Sequence, residues 1–553
     1  MNLIKFFFQH SRSTVIWSLV AGIFSGASNA ALLATINSAI RRNGSPSSSL
    51  ILIFVGLCLV LPVSRYLSEL LLNRLGQGAL YTLRIDLCRQ ILAAPLRHLE
   101  QLGPARLLGA LTDDVPNITS TVLFVPILCI NATIALGCLV YMGILSPLLL
   151  TIVLGFMVIG IIGYQYPIIK AQAVLRKART DGDAILAHFR AVTQGTKELK
   201  IHARRRRAFL NQVLEPTAAS FRGNNISGMK IYTAAASWGQ TLVFVVVGII
   251  IFGLASFQHL GTAGLTGYTI TLLYLMTPLQ TIMNTLPVLG RANVALNNVQ
   301  RLGLSLTEKG SEETRVNEER VEDWKRLELL SLTHTYQREG EPSNFVLGPV
   351  NLVFSPGEMV FITGGNGSGK TTLAKLLVGL YTPETGDILL DGIPIRTAEE
   401  KEKYRQLFSV VFSDFFLFEQ LLGLTEVDLD ARAQQFLDQL RLAHKVQVEN
   451  GRFSTTELSQ GQRKRLALLS AYLEDRPIYL FDEWAADQDP YFKEIFYLHL
   501  LPELKARHKT VFVISHDDRY YHVCDRLVKF EEGRVVADIP KAPEQRVVEV
   551  SAH

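Results

Sequence analysis

The stretch Gly364-Gly365-Asn366-Gly367-Ser368-Gly369-Lys370-Thr371 decides how the second half of this chain folds. It fits the phosphate-loop pattern G-x-x-x-x-G-K-[ST] at every fixed position. Met359-Val360-Phe361-Ile362 before it is an apolar, strand-like run, and Thr372 to Leu380 after it carries apolar residues at helical spacing. Strand, loop and helix are the context the pattern needs. Glycines allow a tight turn whose amide N–H groups face phosphate oxygens, and the positive end of the following helix adds to the attraction. Lys370 is placed to reach the outer phosphates and the Thr371 hydroxyl to hold Mg²⁺. A purine nucleotide, ATP or GTP, is the expected ligand.

Working outward, the 553 residues are long enough for more than one domain. Hydrophobic residues make up 48% and mean hydropathy is +0.22. The apolar residues crowd into the first half and the charges into the second. The net charge of +5 is small for this length and gives no argument for nucleic acid. Cys58, Cys88, Cys129, Cys138 and Cys524 are odd in number and form no C-x-x-C pair, so neither a disulfide framework nor a zinc site is indicated. Met1 to His10 shows no small-residue cleavage site, and no removable signal peptide is read.

Six apolar segments reach the roughly 20 residues a bilayer crossing requires: 15–38, 49–72, 118–142, 146–167, 231–254 and 264–288. The connections after the second and fourth, 73–117 and 168–230, are long and helical in composition. They hold most of the basic residues within 1–306, including Arg204 to Arg207, whereas the short connections offer Arg41 and Arg42. The positive-inside rule then places the long loops, both termini and the nucleotide domain in the cytoplasm, for a multi-pass protein of the inner membrane. The arginine run reads as a solvated helix face or a contact with anionic lipid. Gly103-Pro104 and Gly195 break the two loops, and a short transverse helix is expected at each break, able to touch the soluble part. Asn131, Gln240, Gln280 and Asn284 lie at membrane depth, where polar groups are costly. They are candidates for a substrate cavity, with helix–helix contact as the alternative. Arg65 and Glu69, four apart, are expected to pair.

A polar stretch, Glu308 to Glu313, follows the last span and marks a linker over 307–325. The transmembrane part is assigned 1–306, the nucleotide domain 326–540, and a tail 541–553. From Arg326 onward, strand-like runs alternate with helical stretches, which implies an α/β domain with a mainly parallel sheet. Ile478-Tyr479-Leu480-Phe481-Asp482-Glu483 is an apolar strand ending in two acids. The first acid can hold Mg²⁺ beside the phosphate loop, and the second can polarise an attacking water.

With Leu458-Ser459-Gln460-Gly461-Gln462 before that strand, the chain resembles the ATP-binding-cassette (ABC) transporters. The resemblance covers nearly the whole length and implies a six-helix exporter-type transmembrane domain fused to an α/β P-loop ATPase, an exporter half-transporter. It assigns Gly364 to Thr372 to the nucleotide, Leu458 to Gln462 to the signature with Gln460 replacing a glycine, Asp489 to the D-loop and His516 to the switch histidine. Tyr336 takes the place of the aromatic that stacks on adenine. Two departures stand out. Ser413 occupies the Q-loop glutamine position, so the metal set is Thr371, Asp482 and Ser413. The region from Asp482 to Pro490 is an unusual version. With the Val411–Phe416 and Gly461–Arg465 stretches, it resembles the cyclic-peptide and siderophore-peptide exporters.

The resemblance implies a homodimer, because one phosphate loop faces the other subunit's signature, with Ser459 and Gly461 on the γ-phosphate. It implies ATP and Mg²⁺ as cofactors, Glu483 on the water and His516 on the γ-phosphate. The implied function is ATP-driven export of a peptide-like substrate. A lipid flippase or multidrug pump is the alternative within the family, and an ATP-gated regulator or channel is the alternative of a different class. The spans begin near residue 15, which disfavours a leader-cleaving exporter. Fusion of spans to cassette, with no binding-protein domain, disfavours an importer.

Overall fold

The computed structural model describes residues 12–41, 48–254, 262–301, 323–336, 345–424 and 427–540. All but the last three residues of the expected linker, and the whole of the tail 541–553, lie outside them. The chain divides into two compact units. One is Met1–Cys88 with Ala105–Gly303, and the other is Arg89–Pro104 with Leu304–His553.

The first unit is all-helical. Its long helices are α1 (Arg12–Arg41) and α2 (Ser48–Ala93). After the short helices α3 (Leu96–Leu102) and α4 (Pro104–Gly109) come α5 (Val115–Leu145) and α6 (Pro147–Gln194). The short α7 (Thr196–Ile201) and α8 (Ala203–Ala208) lead to α9 (Glu215–Gly248) and α10 (Thr262–Arg301). Ser146 ends α5 and caps α6, its hydroxyl accepting from the Leu149 N–H at 3.4 Å. α6 runs 48 residues, about 72 Å at 1.5 Å per residue, well beyond a hydrocarbon core of about 30 Å. The helix thus continues without a break from the expected span 146–167 into the connection 168–230, which was read as helical in composition. Leu33, Ile134, Met142, Leu149, Val153, Val246, Tyr268 and Leu275 form one apolar core across five of these helices. Arg65 and Glu69 pair as expected, at 2.9 Å on an exposed face.

Five helices among the described residues are long and apolar enough to span a membrane. The sixth expected segment, 264–288, lies on α10 but is not among these five. Thr266, Tyr268, Thr269, Thr271, Tyr274, Thr277, Gln280 and Asn284 dilute its apolar character. A helix of that composition matches a span flanked by protein or water better than one bathed in lipid.

Among the described residues the second unit holds three sheets. The six-stranded sheet has the order β12-β11-β3-β10-β9-β6. Its strands are β3 (Met359–Gly364), β6 (Phe408–Val411), β9 (Ile478–Asp482), β10 (Thr510–Ile514), β11 (Arg526–Glu531) and β12 (Arg534–Pro540). All its pairings are parallel except β11 with β12. The expectation of a mainly parallel sheet holds here but misses a second, antiparallel sheet of order β2-β1-β4-β5. That sheet contains β1 (Leu327–Tyr336), β2 (Phe345–Phe354), β4 (Thr385–Leu390) and β5 (Ile393–Pro394). The third is the small β7–β8 ladder, Val448–Glu449 with Arg452–Phe453. β9 and β10 are buried at every residue. Val360, Ile362, Leu480, Phe512 and Ile514 enter one core, while Met359, Phe361, Phe481, Val511 and Val513 enter the other. Burial on both faces explains why these strands read as unbroken apolar runs, and why β2, with one solvated face, alternates instead.

Helices α11 (Lys370–Leu377), α12 (Ala398–Arg405), α13 (Leu429–Gln439) and α14 (Gln460–Glu474) complete the part that positions the site. Between Ser413 and Leu458, α13 is the single helix among the described residues.

The last turn of α14 carries Glu474, half-buried against β6, where its carboxylate accepts from the Ser409 hydroxyl at 2.8 Å. Burial pushes its carboxyl above the usual range, against the weaker pull of Ser409 and Arg476. A folded-state pKa raised above the unfolded value gives stability that is full at acid pH and is lost as pH rises through the folded value. Glu474→Gln keeps the acceptor and removes the titration. Its melting temperature relative to the parent should therefore be higher at pH 8 than at pH 4.5, and equal differences at both would refute this account.

Candidate nucleotide site

β3 delivers the chain to the phosphate loop, and α11 starts at Lys370. Gly364, Gly367 and Gly369 have φ of 152, 78 and 97°. A Cβ on Gly364 would lie 2.2 Å from the Phe530 carbonyl oxygen of neighbouring β11, so only glycine fits. Gly365, Asn366 and Gly367 are exposed and Ser368 is buried. Lys370 is 5% exposed, and its ammonium donates to the carbonyls of Gly364 and Gly365 at 2.9 and 3.0 Å. Burial pushes it below the ordinary lysine range, while Glu483 and Asp482 push the other way. Thr372 is half-buried in the first turn of α11.

Strand order brings the acids to this loop. β10 pairs with both β3 and β9, and Asp482 ends β9 opposite Ile514. The Asp482 carboxylate is fully buried. The Thr371 hydroxyl donates to it at 3.1 Å and the Ser413 hydroxyl at 3.2 Å. Ser413 stands two residues past the end of β6, which flanks β9 on the other side. Burial raises the Asp482 carboxyl above its usual range and the Glu483 charge adds to this, against the two hydroxyls. Three oxygen-bearing side chains thus converge, and hard oxygen donors suit Mg²⁺. Among the described residues no group of three or more His, Cys, Asp or Glu could hold a metal. A site with a single carboxylate suits a cation that keeps water and phosphate oxygens as its other ligands.

Glu483 has the left-handed φ of 51°, which turns its side chain away from Asp482's buried environment. Its carboxylate is 35% exposed and lies 3.2 Å from His516 Nε2, two residues beyond β10. Ser459 precedes α14, and the Gln462 side chain caps its N–H at 3.4 Å. Gly461 packs closely, since a Cβ there would meet the Asp487 carbonyl oxygen at 3.1 Å. Asp489 caps the short helix Pro490–Glu494, accepting from the Phe492 N–H at 3.1 Å. Tyr336 ends β1, 40% exposed. Of the membrane-depth candidates, Gln240, Gln280 and Asn284 are exposed on α9 and α10. Asn284 accepts from the Tyr232 hydroxyl at 2.9 Å. Asn131 instead donates to its own helix, to the Ile127 carbonyl at 2.6 Å.

The helix expected before the Gly103-Pro104 break, able to touch the soluble part, makes contacts whose residues the sequence reading did not name. α3, the short helix ending at Gly103, belongs to the second unit. Arg97 pairs with Glu384 at 3.0 Å and donates to the Thr335 carbonyl at 3.1 Å, next to Tyr336. Glu100 pairs with Lys375 at 2.7 Å and accepts from the Tyr381 hydroxyl. The break at Gly103 signalled the helix, but nothing local signalled partners more than 230 residues away.

The loop geometry yields a direct test. Gly364→Ala adds a clash to a strained φ and should cost at least about 2 kcal/mol. That is a drop of roughly 4 °C or more in melting temperature for a domain of this size. A variant melting within 1 °C of the parent would contradict the packing described.

Residues 14–279 match the ABC transporter transmembrane region, and residues 347–486 match the ABC transporter family. The chain is 36% identical over 537 residues to the ATP-binding protein SyrD of Pseudomonas syringae pv. syringae, covering 96% of this chain and 94% of that one. It is 25% identical over 509 residues to an ATP-dependent lipid A-core flippase of Alkalilimnicola ehrlichii, covering 87% and 82%. A solved structure of a bacterial Atm1-family ABC exporter with ATP bound superposes with a TM-score of 0.74. It covers 95% of each chain at 17% identity, a likeness of fold. A phosphate loop, an acid-ended strand and a signature turn gathered on one sheet, in a chain that also carries long apolar helices, agree with these matches: the chain belongs to the ABC transporter family, as an exporter-type half-transporter whose ATPase drives transport.

Proposed function

We propose that this chain exports a peptide-like substrate, a cyclic or siderophore-like peptide, across the bacterial cytoplasmic membrane as a homodimer. Both termini and the nucleotide domain face the cytoplasm. The domains are 1–306, a linker 307–325, the nucleotide domain 326–540 and a tail 541–553. The observation that carries the ATP-driven part is the convergence of Thr371, Ser413, Asp482, Glu483 and His516 beside the loop Gly364–Thr371. The peptide reading rests on the Val411–Phe416, Gly461–Arg465 and Asp482–Pro490 stretches and on the full-length similarity to SyrD. The lipid flippase relatives keep a lipid substrate as the second reading.

In this reading Lys370 leaves the Gly364 and Gly365 carbonyls for the outer phosphates, and Tyr336 stacks on the adenine. Thr371, Ser413 and Asp482 would hold Mg²⁺, which supplies charge neutralisation at the phosphates. Glu483 accepts a proton from, or orients, the attacking water, and His516 supports the γ-phosphate. Ser459, Gly461, Gln462 and Asp489 face the partner's nucleotide in an isologous dimer. ATP favours the closed pair, and hydrolysis removes that differential affinity. Gln280 and Asn284 line the substrate route, with Gln240 nearby. Asn131 is the weakest of the four for this role, because its amide is already bonded to its own helix.

Two measurements test this. Glu483→Gln should keep ATP affinity and lose turnover by about 10²-fold or more, as expected for removal of a general base. Retained turnover would overturn the role of Glu483, and transport surviving without hydrolysis would point to an ATP-gated channel. In inverted vesicles with ATP, cyclic peptides should be taken up and should stimulate hydrolysis. Stimulation by a lipid A-like lipid and not by peptides would replace the peptide reading with the flippase one.

A further inference from the structure

Two features depart from the family pattern in sequence, Gln460 within the signature and the stretch Trp484 to Gln488 after the acids. The structure brings them into contact around a side chain with no role in the mechanism above, Lys464. It lies one turn into α14, and its side chain is 3% exposed. Its ammonium donates to the Glu483 backbone carbonyl at 3.0 Å and pairs with Asp487 Oδ2 at 2.7 Å. Trp484 Nε1 donates to the Lys464 carbonyl at 2.8 Å, and the indole stacks on Phe496 at 4.4 Å. Gln488 Nε2 donates to the Gly461 carbonyl at 3.0 Å, and Gln460 Nε2 to Asp487 at 3.3 Å.

We propose that Lys464 is a positioning residue for ATP hydrolysis, which holds Glu483 in its left-handed conformation against His516 and fastens it to the first turn of α14. The proposal rests on the reading of Glu483 as the group that acts on water.

Glu483 is a non-glycine residue at φ 51°, a conformation that persists only where the surroundings impose it. Hydrogen bonds bracket it on both sides. Its N–H donates to the Ile514 carbonyl at 3.1 Å, at the end of β10, and its carbonyl accepts from the Lys464 ammonium and, at 3.3 Å, from the Ala486 N–H. The first bond fixes the residue to the strand that leads to His516. The second fixes the peptide that follows, and so the direction in which the carboxylate leaves the chain. Without the ammonium, the carbonyl loses its charged donor and the backbone can relax, carrying the carboxylate away from its 3.2 Å approach to His516. Small displacements of a catalytic group cost rate steeply. None of the contacts Lys464 makes lies in the loop Gly364–Thr371, so nucleotide affinity should not follow the rate. The bland alternative is a buried lysine that satisfies itself with Asp487 for stability alone, and it predicts no such split. Because Ser459 and Gly461 sit on the turn that Gln460 and Gln488 grip, one body carries both the signature and the water-activating acid.

The test is ATPase kinetics of the full-length chain in nanodiscs, beside equilibrium binding of a fluorescent ATP analogue. Lys464→Met keeps the length and apolar stem; kcat should fall at least tenfold, with KM for ATP and analogue affinity within twofold of the parent. Lys464→Arg retains donors for both acceptors and should recover at least a third of the parent kcat. If Lys464→Met does not fold, Asp487→Asn at the half-exposed end of the pair should lower kcat at least threefold at unchanged KM. Turnover within twofold of the parent in the folded variants, or a kcat loss matched by an equal loss of analogue affinity, would overturn the proposal. An active Glu483→Gln would sink the reading beneath it, whereas an inactive Glu483→Gln beside a normal Lys464→Met would sink this inference alone.

Discussion

A carboxylate with no exposure to water sets the conditions for the nucleotide-binding unit. Asp482 ends a strand whose residues are all buried, and an unpaired group there would cost about 1–3 kcal/mol or more. Its partners come from two other places in the chain, Thr371 after β3 and Ser413 after β6. They reach it only because β10 joins β3 to β9 while β6 closes on the other flank. The parallel order of the sheet and the satisfaction of one buried anion are thus the same constraint. The apolar side chains of β3, β9 and β10, entering two cores, provide the stabilisation that keeps this anion in place.

The neighbouring acid meets the opposite environment. Asp482 is sealed and hydrogen-bonded to hydroxyls, which suits a group that holds a cation. Glu483 is a third exposed and paired with a histidine, which suits a group that must meet water. One backbone dihedral separates the two roles. A left-handed residue costs of order 1–3 kcal/mol, so the fold must return that amount through contacts around the turn. The dense bonding between α14 and the segment after Glu483 is where it does so.

The strands of the parallel sheet were legible because burial on both faces leaves nothing but apolar residues to read. The antiparallel sheet was less so, since β1 carries His334, Thr333 and Thr335 among its leucines and breaks register where β4 and β2 pair with it. The phosphate loop, Asp482 and Glu483 were legible as a spacing pattern and His516 through the family resemblance, and the sheet gathers them. Ser413 was read as standing at the Q-loop glutamine position; in space its hydroxyl reaches Asp482 directly. A helix able to touch the soluble part was read before Gly103, but the partners of Arg97 and Glu100 were not, because Thr335 on β1, Glu384 just before β4 and Lys375 on α11 lie far along the chain. The sixth span was read as an apolar segment of sufficient length, and its threonines, tyrosines and amides leave α10 outside the five helices apolar enough to cross a membrane.

The departures from the family pattern carry a further lesson about reading sites in one dimension. A glutamine in place of a signature glycine looks like decay of the motif, and Trp484-Ala485-Ala486-Asp487-Gln488 looks like a second, unrelated irregularity. Gln460 bonds to Asp487, Gln488 bonds to Gly461, and Trp484 bonds to Lys464, so each irregularity supplies the partner the other lacks. Each such contact contributes about 1 kcal/mol net, on the scale of the strain at Glu483 that together they offset. Their joint effect is geometric: the start of α14 and the residue after the acidic strand cannot shift independently. A glycine at position 460 would remove one of those ties and leave the buried Lys464 ammonium to hold Asp487 alone.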